Sequence, residues 1–137
     1  MSKREVSRRL KQVPLFRNCS SRQLGHIAGR GWEQDYPTGT ALCEEGRLGD
    51  EFFVILEGRA EVTRNHRKIR SLGPGDHFGE VALLMPIGRR PRSATVKAST
   101  PVRCFLLPRR EFKDLIYEAN IATNLLYELA AYIREPF

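Results

Sequence analysis

A chain of 137 residues with 41% hydrophobic content is long enough to bury one core and too short for two ordinary domains. Its formal net charge of +7 favours an anionic partner, be it nucleic acid, an acidic protein face, a membrane surface or a small phosphate ligand, and charge alone does not choose among them. The first residues, Met1-Ser2-Lys3-Arg4-Glu5, are charged and no apolar run approaches bilayer-spanning length, which predicts a soluble, cytoplasmic protein without a membrane partner.

The cysteines are Cys19, Cys43 and Cys104, odd in number and far apart, which predicts free, mostly buried thiols in a reducing compartment. The basic charge concentrates in Lys3 to Arg22, Arg64 to Arg70 and Arg89 to Arg110, and the last stretch holds no acidic residue.

From Ser2 to Val13, the apolar positions Val6, Leu10 and Val13 recur at helical spacing among Arg and Lys, which predicts a short amphipathic helix stopped by Pro14. Ser20 and Gln23 have capping-box spacing ahead of Leu24, Ile27 and Ala28, so a second helix starts near Ser20 and ends at Gly29 and Gly31. Then the pattern shortens. Trp32 to Tyr36, Ala41 to Glu44, Phe52 to Leu56, Ala60 to Arg64 and Lys68 to Leu72 read as antiparallel strands. Pro37-Thr38-Gly39, Gly46 to Asp50, Glu57-Gly58, Asn65-His66 and Gly73-Pro74-Gly75-Asp76 supply the turns between and after them.

Ser93 to Ala98 and Val102 to Leu107 add two strands around Ser99-Thr100-Pro101. Past Gly88 no glycine occurs, and Phe112, Leu115 and Ile116, then Leu125, Leu126, Leu129 and Ile133, predict helices over Arg109 to Tyr117 and Ile121 to Arg134. The fold class is therefore α+β: an antiparallel β-roll, jelly-roll-like and barrel-shaped, with N-terminal helices, a short helix after Phe78 and C-terminal helices, all in one domain over 1–137.

The chemistry concentrates in Phe78-Gly79-Glu80-Val81-Ala82-Leu83-Leu84 and, after a short loop, Pro91-Arg92-Ser93-Ala94-Thr95-Val96. A Phe-Gly-Glu turn that opens a short helix presents backbone N–H groups to an anion, and Gly79 permits close approach of that backbone. An arginine returned by the loop offers its planar fork to phosphate oxygens, with charge-assisted bonds of about 1.5–3 kcal/mol each. Glu80 beside a phosphate makes sense only when turned toward a hydroxyl donor. The bland alternatives are a surface arginine at 92, a first-turn helix acid at 80 and a turn-bonding serine at 93; the pairing of both halves raises the ligand reading above the first two and leaves both readings of Ser93 open.

These segments resemble the phosphate-binding cassette of the cyclic nucleotide-binding domains of catabolite activator proteins, cyclic-nucleotide-dependent kinase regulatory subunits and nucleotide-gated channels. Val13-Pro14-Leu15-Phe16, Gly46, Gly49-Asp50, Phe52-Phe53-Val54-Ile55 and Glu57-Gly58 extend the resemblance over nearly the whole chain. It implies Glu80 on the ribose 2′-hydroxyl, the Gly79 and Ala82 backbone on ribose or phosphate, Arg92 on the phosphate facing Gly79 across the bound anion, Ser93 beside it, and Val81 and Val62 flanking the base. A hydroxyl after the phosphate arginine serves either nucleotide in this family. The overall pattern looks more like the bacterial members, which favours cAMP over cGMP.

Two departures stand out. The loop Met85-Pro86-Ile87-Gly88-Arg89-Arg90 is longer than the family's, and Arg92 is preferred over Arg89 and Arg90 because it alone lies in the Pro-Arg-Ser-Ala-Thr-Val stretch entering the next strand. The sequence stops near where the family places a residue over the purine, leaving Phe137, Tyr132 or a partner chain for that task.

His26, His66 and His77 lack metal-ligand spacing, and no nucleophile motif occurs, so neither an enzyme nor a cofactor is expected beyond the nucleotide ligand. Leu125, Leu126, Leu129 and Ile133 suit a core or a homodimer face. The expectation is a non-catalytic sensor of unknown effector. Without a helix-turn-helix, no nucleic acid is expected through this chain alone. The alternatives are an interaction module of the same fold that has lost its ligand, or a basic nucleic-acid-binding domain with steep salt dependence.

Overall fold

The computed structural model describes residues 1–79 and 91–118. Helix α1 spans Lys3–Lys11, with the Ser2 side chain accepting from the Glu5 amide, Glu5 in the first turn and Arg8, Arg9 and Lys11 in the last, charges that complement the helix dipole. Val6 and Leu10 form its buried stripe. The helix ends two residues before the predicted Val13, at the Gln12 cap, and Pro14 opens a 3₁₀ turn, Pro14–Phe16, that buries Leu15 and Phe16.

Helix α2, Ser21–Arg30, has the predicted capping box: Ser20 Oγ accepts from Gln23 N at 3.1 Å and Gln23 Oε1 accepts from Ser20 N at 2.8 Å. Gly29, expected to end it, lies inside it; Gly31 is the cap. Gly31 is needed for space, because a Cβ there would stand 2.2 Å from the Leu106 carbonyl oxygen.

The strands are β1 (Trp32–Tyr36), β2 (Ala41–Cys43), β3 (Glu51–Glu57), β4 (Ala60–Arg64), β5 (Arg67–Leu72), β6 (His77–Phe78), β7 (Thr95–Ala98) and β8 (Val102–Pro108), followed by helix α3, Arg109–Glu118. They form two four-stranded antiparallel sheets, β1-β8-β3-β6 and β2-β7-β4-β5. The predicted β-roll with flanking helices is an open sandwich of two sheets with helices on one side, not a closed barrel. Strand β6 was not anticipated, since two residues carry no alternation; it is recognised only by its pairing with Phe53 and Val54 of β3.

Strand β3 explains where the core sits. Phe52, Val54 and Leu56 point to the helices and join Val6, Leu10, Phe16, Ile27 and Phe112. Phe53 and Ile55 point the other way, into the space between the sheets, with Val62, Leu72, Phe78, Val96 and Leu106. Alternation along a strand sends neighbours to opposite faces, so a continuous apolar run marks a strand covered on both sides.

The three cysteines are free and buried, as predicted. Among the described residues no helix is long and apolar enough to cross a membrane. The short helix after Phe78, the 85–90 loop and the 121–134 helix lie outside the described residues.

Candidate functional site

The two halves of the candidate cassette meet at the start of β3. Gly79 has φ of +97°, a left-handed conformation that glycine adopts without steric cost. A Cβ there would also lie 2.8 Å from the Glu51 carbonyl oxygen and 3.0 Å from Arg92 Nη1.

Arg92 is 6% exposed. Its Nη1 donates to the Gly79 carbonyl at 3.0 Å and its Nη2 to the Glu51 carbonyl at 2.9 Å, while the Glu51 carboxylate stands 3.7 Å from Nη2. The guanidinium carbon lies 6.0 Å from the centroid of the Phe53 ring, which stacks on Phe78 at 4.6 Å. Gly49 closes the remaining side, because a Cβ there would sit 2.2 Å from Arg92 Nε.

Burying a guanidinium costs free energy unless its donors and its charge are met. Two of its five N–H donors go to backbone carbonyls, which are neutral, and the Glu51 carboxylate is 39% exposed. Among the described residues the anionic group beside this buried cation is the Glu51 carboxylate.

Sequence reasoning joined Arg92 to Gly79, and the structure brings them into contact. The guanidinium rests on the Gly79 carbonyl directly, where the sequence reading set the two groups apart across an anion. Ser93 is exposed and its carbonyl accepts from Arg64 Nε at 2.9 Å. Val62 is fully buried between the sheets, paired with Val96. Glu80, Val81 and Ala82 lie outside the described residues.

Gly49, Glu51 and Phe53 were missed as parts of the site. Gly49 carried a usable signal, a glycine just ahead of an aromatic strand, where close approach of another group is a standard cause. Glu51 contributes mainly its backbone, which no side-chain pattern reveals.

Nothing else among the described residues offers a reactive centre. No three His, Cys, Asp or Glu side chains converge as metal ligands among them. Burial, reinforced by Cys43 and Asp35, pushes the Cys104 thiol up to about 12, so it stays protonated and unreactive at neutral pH. Burial likewise raises Tyr36 to about 12, with a smaller push from Cys104.

Comparisons with known proteins bear on this geometry. The profile of the cyclic nucleotide-binding domain matches residues 33–118. A cAMP-dependent protein kinase regulatory subunit of Yarrowia lipolytica is 37% identical over 109 residues, covering 78% of this chain and 28% of that protein. The cAMP-bound structure of PfPKA-R superposes with a TM-score of 0.88 at 27% identity, covering 96% of this chain and 45% of the other. The catabolite activator protein of Thermus thermophilus gives 0.78 at 30% identity, over 89% of this chain and 59% of its own. The chain thus spans less than half of the first two relatives. With a profile match over more than half its length and the same fold in the solved relatives, the chain belongs to the cyclic nucleotide-binding domain family.

Proposed function

We propose that this chain is a non-catalytic regulatory sensor that binds a cyclic purine nucleotide, cAMP in preference to cGMP. Arg92 holds the cyclic phosphate through the donors that Gly79 and Glu51 leave available, Glu80 takes the ribose 2′-hydroxyl, the Gly79 and Ala82 backbone lines ribose or phosphate, and Val81, Val62 and Ser93 border the base and phosphate. The observation that carries this reading is the buried Arg92 guanidinium, held against Gly79 with, among the described residues, the part-exposed Glu51 carboxylate as its countercharge. Three buried free thiols suit a reducing, cytoplasmic setting.

Capture of the nucleotide would shift the segments beyond Pro108 by differential affinity for two conformations. Self-association through the 121–134 helix belongs to the same proposal.

One observation favours a rival: two protein carbonyls already engage Arg92, as a fold relative without ligand would arrange it. Titration calorimetry with cAMP, cGMP and 5′-AMP on the wild type, Arg92→Ala and Glu80→Ala separates the two. The sensor reading expects micromolar or tighter binding of a cyclic nucleotide, about −8 kcal/mol or better. It also expects a larger loss in Arg92→Ala than in Glu80→Ala. Unchanged affinity in Arg92→Ala removes the site assignment, and no heat with any nucleotide favours the rival.

A further inference from the structure

The backbone around Arg92 is held from outside the cassette. Arg92 N donates to the Arg47 carbonyl at 2.8 Å and Gly46 N donates to the Arg92 carbonyl at 2.9 Å, a short two-way pairing ahead of β7. A bend at Ser93 and Ala94 separates this pairing from β7, which begins at Thr95 and not at the predicted Ser93.

Two further bonds come from Glu45 and Arg64. Glu45 N donates to Thr95 Oγ1 at 2.9 Å, and Arg64 Nε donates to the Ser93 carbonyl at 2.9 Å. The β4–β5 hairpin joins the same ring. Its tip residues Asn65 and His66 have φ of 52° and 64°, the left-handed pair of a tight two-residue turn. The Asn65 amide donates to Glu45 Oε1 at 3.0 Å. One carboxylate thus ties the hairpin tip to the 45–47 segment, while one guanidinium from the same hairpin reaches the peptide that follows Arg92.

We infer that Arg64 and Glu45 are positioning residues for the candidate phosphate arginine. Successive side chains of an extended segment point to opposite sides, and Arg92 is buried where Ser93 is exposed. Rotation of the peptide plane between Ser93 and Ala94 about the Ser93 Cα–C bond would swing the preceding Arg92 relative to β7. A cation on the Ser93 carbonyl fixes that plane, and water could satisfy the same oxygen without fixing it. The ring therefore sets orientation more than stability, and its loss weakens anion capture while the sandwich stays folded. This inference rests on reading Arg92 as the phosphate ligand.

The test uses Arg64→Ala, Glu45→Ala and Glu45→Gln, with three measurements: cAMP affinity by calorimetry, thermal midpoint, and amide exchange of Arg92 and Gly46 by NMR without nucleotide. Both alanine variants are expected to exchange the Arg92 amide about fivefold faster and to bind cAMP about fivefold more weakly, the effect of one exposed charge-assisted bond. The midpoint should move by only a few degrees. Glu45→Gln keeps an acceptor oxygen for the Asn65 amide and should restore both readouts. Unchanged exchange in both alanine variants overturns the inference, as does faster exchange with unchanged cAMP affinity. Should the wild type bind no cyclic nucleotide, the sensor reading falls by itself, and the exchange rates alone decide whether the hairpin holds this loop.

Discussion

Sheet β1-β8-β3-β6 has an arginine at each end of β3, and the two are held in opposite ways. At the Glu51 end, Arg92 is buried and bonded to two backbone carbonyls. At the Glu57 end, where β3 faces Arg103 of β8, that arginine reaches Asp35 of β1 through Nε at 2.8 Å and Nη2 at 3.3 Å, a two-pronged pair in solvent. A carboxylate meets Arg103 directly with two hydrogen bonds, so its charge is already paired at close range. The carbonyls that hold Arg92 carry no net charge and the Glu51 carboxylate stands farther off, at 3.7 Å, so the buried end is the proposed ligand site. Solvent exposure also means that the Arg103 pair contributes little to stability.

The largest effect that would break this contrast is expected from Arg92→Ala. It removes the proposed phosphate contact and strips two backbone acceptors of their donor, so cAMP affinity should fall about a hundredfold or more. Stability should fall by about 2 kcal/mol, read as a lower denaturant midpoint. Equal effects at Arg103→Ala would erase the distinction between the two ends.

Gly49→Ala comes next. Its Cβ would stand 2.2 Å from Arg92 Nε, so the guanidinium must move. Affinity should drop about tenfold with a stability loss of about 1–3 kcal/mol, the usual range for overpacking. Wild-type affinity in this variant would show that the observed guanidinium position is not the binding one.

Between the two ends sits Cys104, opposite Ile55. Its thiol and the Tyr36 phenol both have raised pKa values, about 12 each, because burial penalises the charged forms. Below their ordinary values of 9.0 and 10.0 both are protonated, folded or unfolded, and their contribution is fully present. Above those values the unfolded chain loses protons that the folded one keeps, so stability should decline from about pH 9 toward about pH 12. Denaturant melts of wild type and Cys104→Ala across that window should show a shallower decline in the variant, and parallel curves would remove Cys104 from the account.

The smallest effect belongs to Asp35→Ala, which should leave nucleotide affinity unchanged and the melting temperature nearly so. In the wild type the bond from Arg103 holds the Asp35 carboxyl below the usual carboxylate range. The pair's contribution is therefore present above that range and fades as pH falls through the lowered value, which an NMR titration of Asp35 would register.

Much of this fold was legible because its signals are local. The Ser20–Gln23 box, the alternating strands and the Asn65-His66 turn each depend on residues adjacent in sequence, and each is found where expected. The misses depend on partners distant in sequence. Strand β6 exists only through its pairing with β3, and Gly29 lies inside α2, which packs on α1. At the site, Gly79 and Arg92 were readable as residue types with phosphate chemistry. The Glu51 carbonyl was not, because backbone geometry has no sequence letter of its own. The direct Arg92–Gly79 contact was likewise hidden: phosphate chemistry names the two participants without saying whether they meet before the ligand arrives.

The two-sided burial of β3 has a practical corollary for anyone who wishes to retune ligand preference by directed variation. A polar replacement anywhere from Phe52 to Leu56 would enter one hydrophobic layer or the other, and a one-residue register shift would exchange the two sets of side chains. Diversity is better placed at exposed Ser93 and in the 80–90 stretch, with this strand kept constant as the scaffold against which variants are screened.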